Sequence, residues 1–132
     1  MRLSPAAELA VRGTVVLAEE FGRGPIALQS ICDRRDLPKQ YLIKIFSSLS
    51  RAGIVHAIRG KKGGYVLTRA PAEISLLEVI EAIDGRIELN YCQQEPPQCE
   101  DLECPIRPLW GELQHIVRSK LARMSLAQCL KP

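Results

Sequence analysis

The spacing of the apolar residues changes once along this chain, at Ala52-Gly53, and that change restricts the fold more than any other feature. Before it, Tyr41, Leu42, Ile45, Phe46 and Leu49 recur at helical steps and mark the buried face of a helix expected over 38–49, with Pro38 in its first turn. Residues 26–32 read as a shorter helix with Leu28 and Ile31 inward, joined to it through Asp33-Arg34-Arg35-Asp36-Leu37. After Gly53, residues 54–58 and 65–68 are β-prone runs flanking Arg59-Gly60-Lys61-Lys62-Gly63-Gly64. Two short helices on a tight connection, followed at once by a hairpin with a cationic tip, make a winged helix-turn-helix. The tip glycines supply positive φ to a turn; they lack the strand–GxxxxGK[ST]–helix order of a phosphate-binding loop.

The remaining chain is helical apart from one stretch. Ser4 caps and Pro5 opens a helix whose stripe is Ala6, Leu9, Ala10, Val16, Leu17 and Phe21, ended by Gly22-Arg23-Gly24-Pro25. A capped helix over 75–84 presents Leu76, Leu77, Val79, Ile80 and Ile83 and stops at Gly85. Residues 87–105 are irregular and contain Pro96-Pro97. A last helix over 106–124 carries Ile106, Leu109, Trp110, Leu113, Ile116, Val117, Leu121 and Met124 as a seam. Such a seam wants a partner, and a second copy of the same helix is the economical one; the alternative is packing back onto its own domain.

At 132 residues, with 46% hydrophobic and 25% charged, the chain is one globular domain and not a disordered segment. It has no apolar run of about 18 residues to span a membrane. Met1-Arg2-Leu3-Ser4-Pro5 is no export signal, so the expected compartment is the cytoplasm. No nucleophile–base pair or dinucleotide fingerprint suggests an enzyme. The net charge of +3 conceals a strong segregation: residues 34–69 hold nine Lys/Arg and one acid, whereas residues 70–112 hold ten acids and two Arg. A basic block laid over a helix-turn-helix and its wing points to a polyanion, and the expected partner is double-stranded operator DNA. The apolar face of the second helix leaves Lys39, Gln40, Ile43, Lys44 and Ser47 outward. Gln40 suits adenine, Lys44 guanine and Ile43 a thymine methyl, while Arg59, Lys61 and Lys62 suit the minor groove or its phosphates.

Cys92, Cys99 and Cys104 follow a C-x6-C-x4-C spacing in a loop studded with Glu95, Glu100, Asp101 and Glu103. In a reducing compartment, three thiols in so short a stretch read as ligands or redox groups rather than structural disulfides. Thiolates suit zinc or an iron–sulfur cluster, and the absence of paired C-x2-C knuckles tilts the choice toward a cluster, either [4Fe-4S] or [2Fe-2S]. Three thiols leave one position for a different residue. Cys32 and Cys129 read as ordinary buried thiols, His56 as part of a wing strand and His115 as an exposed helix residue.

Several stretches resemble one family: Met1-Arg2-Leu3-Ser4, Tyr41-Leu42, Arg51-Ala52-Gly53-Ile54-Val55, Arg59-Gly60 with Gly63-Gly64-Tyr65, and Ile74-Ser75-Leu76-Leu77-Glu78-Val79-Ile80. It is the bacterial family of small dimeric winged-helix repressors that includes the iron–sulfur regulator IscR and the nitric-oxide sensor NsrR. Its three-cysteine loop matches Cys92, Cys99 and Cys104 with slightly shifted spacing. IscR-like members take a histidine shortly after the third cysteine as fourth ligand, but this chain reads Cys104-Pro105-Ile106-Arg107 there. NsrR-like members use a first-helix carboxylate from the other subunit, and Glu8 sits where that carboxylate would; on the bare sequence an i,i+4 ion pair with Arg12 explains it better, but the resemblance makes Glu8 the expected fourth ligand.

The expectation is therefore a mainly α protein: a winged helix-turn-helix DNA-binding domain over 1–85, a cysteine-rich cluster-binding loop over 86–105, and a dimerisation helix with tail over 106–132. The function expected is that of a homodimeric transcription regulator whose iron–sulfur cluster sets its DNA affinity. Two alternatives stand beside it: an iron-free thiol or zinc redox switch on the same scaffold, and a regulator whose acidic loop docks a protein partner.

Overall fold

The computed structural model describes residues 2–130. Five helices and one hairpin form the chain: α1 (Pro5–Glu19), α2 (Leu28–Arg35), α3 (Lys39–Arg51), β1 (Val55–Ile58), β2 (Gly64–Leu67), α4 (Leu76–Asp84) and α5 (Arg107–Arg123), with short 3-10 turns between and after them. The winged helix-turn-helix expected from the sequence is present.

α1 starts as expected: the Ser4 hydroxyl accepts from the Ala7 amide at 3.0 Å, and Pro5 occupies the first turn. Ser4 also hydrogen-bonds Asp84 through its amide and hydroxyl, tying the start of α1 to the end of α4. The core lies between α1, α3, α4 and the wing. Phe46, Leu42, Leu49, Val16, Ile31, Ile74 and Val79 are fully buried there, and the Phe46 ring meets Tyr65 of the wing edge-on at 4.8 Å. Gly13 makes the α1–α3 crossing possible, since a Cβ there would stand 2.9 Å from the Phe46 ring.

Three details depart from expectation. α2 begins only at Leu28 and runs on to Arg35, because Asp36 closes it in the left-handed region (φ 52°) and Leu37 donates back to the Cys32 carbonyl at 2.9 Å. Ile26 is extended rather than helical: it exchanges two backbone hydrogen bonds with Tyr65, at 3.1 and 2.9 Å, adding a one-residue third strand to the wing. This pairing requires Gly64, because a Cβ there would lie 2.2 Å from the Ile26 carbonyl oxygen. The tip glycines thus serve close approach as well as the turn. Phe21, expected in the α1 stripe, lies past the helix end and is 47% exposed.

The hairpin is antiparallel, with Val55 opposite Leu67 and Ile58 opposite Gly64. α4 carries the expected cap as a reciprocal capping box between Ser75 and Glu78. Arg69 also grips Glu78 at 2.6 Å; burial works to raise the Glu78 carboxyl but is outweighed by hydrogen bonds from Ser75 and Arg69, which hold it below its usual range. The segment after α5 returns to the core: Leu126 is fully buried and donates to the Ile74 carbonyl at 2.9 Å. α5 is joined to α4 by a forked ion pair in which Arg118 donates to both oxygens of Glu81, at 2.9 and 3.2 Å, while the Ile87 amide donates to the same carboxylate at 2.7 Å.

Candidate nucleic-acid interface and cysteine pocket

On α3, Leu42, Ile45, Phe46 and Leu49 point inward, which leaves Lys39, Gln40, Ile43, Lys44 and Ser47 exposed, as their sequence spacing implies. Tyr41 belongs with this outer group. The stripe expectation buried it, yet it is 64% exposed, because the four inward residues already complete the buried face. The wing tip, closed by the Gly63 amide donating to Gly60 at 3.0 Å, exposes Arg59, Lys61 and Lys62.

The basic block divides by use. Arg34 pairs with Glu20 at 2.8 Å, Arg35 with Glu19, and Arg69 with Glu78, so these three arginines pin elements together. The hydrogen bond from Arg34, with Arg23 adding its charge, holds the Glu20 carboxyl below its usual range. Among the described residues, Lys39, Lys44, Arg59, Lys61 and Lys62 form no ion pair. Within the basic block the unspent positive charge is therefore on α3 and the wing tip, where a helix-turn-helix meets a duplex.

Cys92, Cys99 and Cys104 are each half-buried and line one cavity of about 130 Å³, with Tyr91, Ile106 and Trp110 among its other walls. The loop is held by polar contacts that sequence reasoning did not anticipate. The Arg107 guanidinium donates to the carbonyls of Cys92 (3.1 Å) and Asp101 (3.3 Å), and its amide donates to the Cys104 carbonyl at 3.1 Å. The Gln93 carboxamide donates to Cys92 Sγ at 3.4 Å and to the Arg107 carbonyl at 3.3 Å. It lies against Gly111, where a Cβ would come within 3.2 Å. Buried Gln114 accepts from the Leu89 amide at 2.9 Å. An arginine after the third cysteine was the available signal; its carbonyl-clamping role was not readable from spacing.

The thiols share a cavity without being drawn to ligand spacing. Among the described residues, no three His, Cys, Asp or Glu side chains gather closely enough to hold a metal ion. Glu8 is exposed in the first turn of α1, paired with Arg12 at 2.6 Å, and is not among the residues lining its own chain's cysteine cavity. His115 is exposed on α5 beside the Ser119 hydroxyl, and His56 is exposed on β1. Cys32 is buried as expected, and Cys129 is half-buried; burial pushes both thiols up. On α5, Trp110, Val117 and Leu121 are half-buried, whereas Ile106, Leu109, Leu113 and Ile116 are 37–54% exposed at steps of three, four and three. One face of this helix thus packs on its own chain, and the other is left exposed.

A mainly α winged helix-turn-helix with unpaired cations on its second helix and wing tip defines a DNA-binding transcription regulator. Residues 3–132 match the Rrf2 family, described as an iron-dependent transcriptional regulator, and the chain belongs to that family. It is 34% identical to the HTH-type transcriptional regulator IscR of Xenorhabdus nematophila, over 99% of this chain and 80% of that one. Among solved structures it is similar to CymR, the global cysteine regulator of B. subtilis (TM-score 0.86, 30% identity, 98% of this chain and 95% of that one). It is also similar to the oxidized form of CymR from Staphylococcus aureus (TM-score 0.79, 28% identity, 100% and 98%). Regulators, not enzymes, populate this family, and among the described residues no helix is long and apolar enough to cross a membrane.

Proposed function

We propose that the chain binds operator DNA as a homodimer, through α3 and the wing tip, and that iron-free chemistry at Cys92, Cys99 and Cys104 sets its affinity for that DNA. The observation that carries this reading is the shared cavity: three half-buried thiols at the root of α5, next to the exposed apolar seam. Similarity to a relative solved in an oxidized form supports a thiol reading. Two of the thiols would give up two protons and two electrons to a disulfide or peroxide oxidant and form an S–S bond, or the loop would have to close to bring the thiolates to zinc-ligand spacing. Because Arg107 belongs to α5 and clamps the loop carbonyls, rearranging the loop would pull on α5 and, through a paired seam, alter the spacing of the two α3 helices. A regulator of this kind works where the chromosome is, in the cytoplasm.

A second reading, an iron–sulfur cluster, is favoured by the family's iron dependence and by the similarity to IscR. The donor set fits such a group in kind, since three thiols are soft ligands, but not in spacing within one chain. Under that reading Cys92, Cys99 and Cys104 would hold the cluster, with Glu8 of the partner subunit completing it.

Anaerobic purification followed by iron, zinc and sulfide analysis and a visible spectrum separates the two. The thiol reading expects metal-poor or zinc-loaded colourless protein whose operator affinity changes at least tenfold on oxidation and returns on reduction. Stoichiometric iron and sulfide, lost in Cys92→Ala, would overturn it in favour of the cluster.

A further inference from the structure

Tyr41 and Ile43 carry large apolar surface into water, 64% and 48% exposed, on a helix whose inward face is already filled. Together with Gln40 and Lys44 they border an open depression of about 430 Å³ on the outside of α3. We infer that this depression reads the 5-methyl group of a thymine in the major groove, with the Tyr41 ring and the Ile43 side chain as its apolar walls and Gln40 and Lys44 at its polar edge. The inference rests on the operator-DNA reading above and deepens it.

Along the floor of the major groove the thymine methyl is the one alkyl group of the four bases, and in an A·T pair it lies beside the O4 acceptor and the adenine N6 donor and N7 acceptor. A carboxamide next to an apolar wall is complementary to that row: Gln40 pairs N6 and N7, and Tyr41 with Ile43 covers the methyl. Reading both features separates A·T from T·A, and both from G·C and C·G. A surface built only to face phosphates has no use for Ile43. A surface built for an apolar protein partner would not sit in a field of cations without ion-pair partners, Lys39 and Lys44 among them.

The test begins with the purified full chain enriching a duplex from a random library. In that duplex each thymine is then replaced singly by deoxyuridine, which removes the methyl and leaves base pairing intact. At one thymine per half-site the affinity falls about fourfold, and about fifteenfold when both half-sites are substituted. Ile43→Ala reduces the thymine preference, and Ile43→Ala combined with Tyr41→Ala binds the thymine and uracil duplexes equally. Tyr41→Phe keeps the thymine preference, because the ring and not the hydroxyl makes the wall. Indifference to uracil at every position overturns the inference, as does loss of the preference in Tyr41→Phe. Failure to enrich any sequence would sink the operator reading itself, whereas tight, sequence-specific binding that ignores the methyl sinks this inference alone.

Discussion

The helix proposed to face DNA and the loop that holds the thiols are supported in opposite ways. α3 is fixed by what lies behind it: Leu42, Ile45, Phe46 and Leu49 are inside the core, so the outward side chains stand on a rigid base. The cysteine loop is anchored more lightly: its Ile87 and Leu89 are only half-buried, and its thiols meet Ile106 and Trp110 around the cavity. Its position depends on hydrogen bonds from Arg107, Gln93 and Arg86 to backbone carbonyls, most of them 3.1–3.3 Å long and near water. A surface proposed to keep its register on a duplex is welded to the core, while a segment proposed to change state is tied by bonds that cost little to exchange. The sharpest way to break this contrast is to weaken both sides. Phe46→Ala should cost about 3–5 kcal/mol in urea unfolding, by lost burial and a cavity under α3. Cys92→Ser, in the loop, should stay within about 0.5 kcal/mol. Equal losses would mean that the loop is part of the core.

Next in size is the seam. Leu113→Asp places a carboxylate among Ile106, Leu109 and Ile116, on the face of α5 left uncovered by its own chain. If that face is the homodimer interface, sedimentation should show monomer, and affinity for a two-half-site duplex should fall about a hundredfold as linked binding becomes two separate events. A stable dimer would place the interface elsewhere and detach the thiol loop from the spacing of the two α3 helices.

The same contrast decides what could be read in advance. Elements set by strong local signals were legible: the Ser4-Pro5 start of α1, the cap at the start of α4, the change of period at Gly53 and the outward set on α3 all stand where the pattern puts them. Misplaced residues lie where tertiary pairing overrides local pattern. Ile26 looks like the first residue of a helix, but the wing claims it through Tyr65. Arg34 and Arg35 look like a connection, but ion pairs to Glu20 and Glu19 hold them on α2 against α1. At the candidate site, the cysteines' common cavity followed from their proximity in sequence. The clamp by Arg107 did not, because a guanidinium that binds carbonyls 6 and 15 residues upstream leaves no periodic trace.

On the DNA side, two substitutions should separate reading from steering. Gln40→Ala should cost about 1–3 kcal/mol on the enriched duplex and relax base preference at one position. Lys62→Ala, at the wing tip, should weaken every duplex alike and reduce the slope of log affinity against log salt by about 0.9 per chain. Titrations from low to high salt on matched and scrambled duplexes check both. If Gln40→Ala lowers affinity for scrambled duplexes equally, α3 contributes only charge and placement.

The smallest expected effect concerns the joint between the two regions, where Arg118 of α5 grips Glu81 of α4. Burial works to raise the Glu81 carboxyl, but the Arg118 fork and the Ile87 amide outweigh it, so its folded pKa lies below the usual carboxylate value. A carboxyl depressed on folding stabilises the folded state fully above its unfolded pKa and loses that contribution as pH falls through the folded value. Both side chains keep some solvent contact, 31% and 21%, which screens the pair to about 1 kcal/mol at neutral pH. Glu20 and Glu78 are depressed too, so the pH profile of one protein mixes all three. The difference between unmutated protein and Arg118→Met isolates the joint. Urea unfolding of both, from pH 7 downward, should give curves about 1 kcal/mol apart at neutral pH that converge once Glu81 is protonated. Curves that stay parallel would mean that Arg118 holds α5 by its aliphatic stem, leaving apolar packing as the connection between the thiol loop's helix and the DNA-binding core.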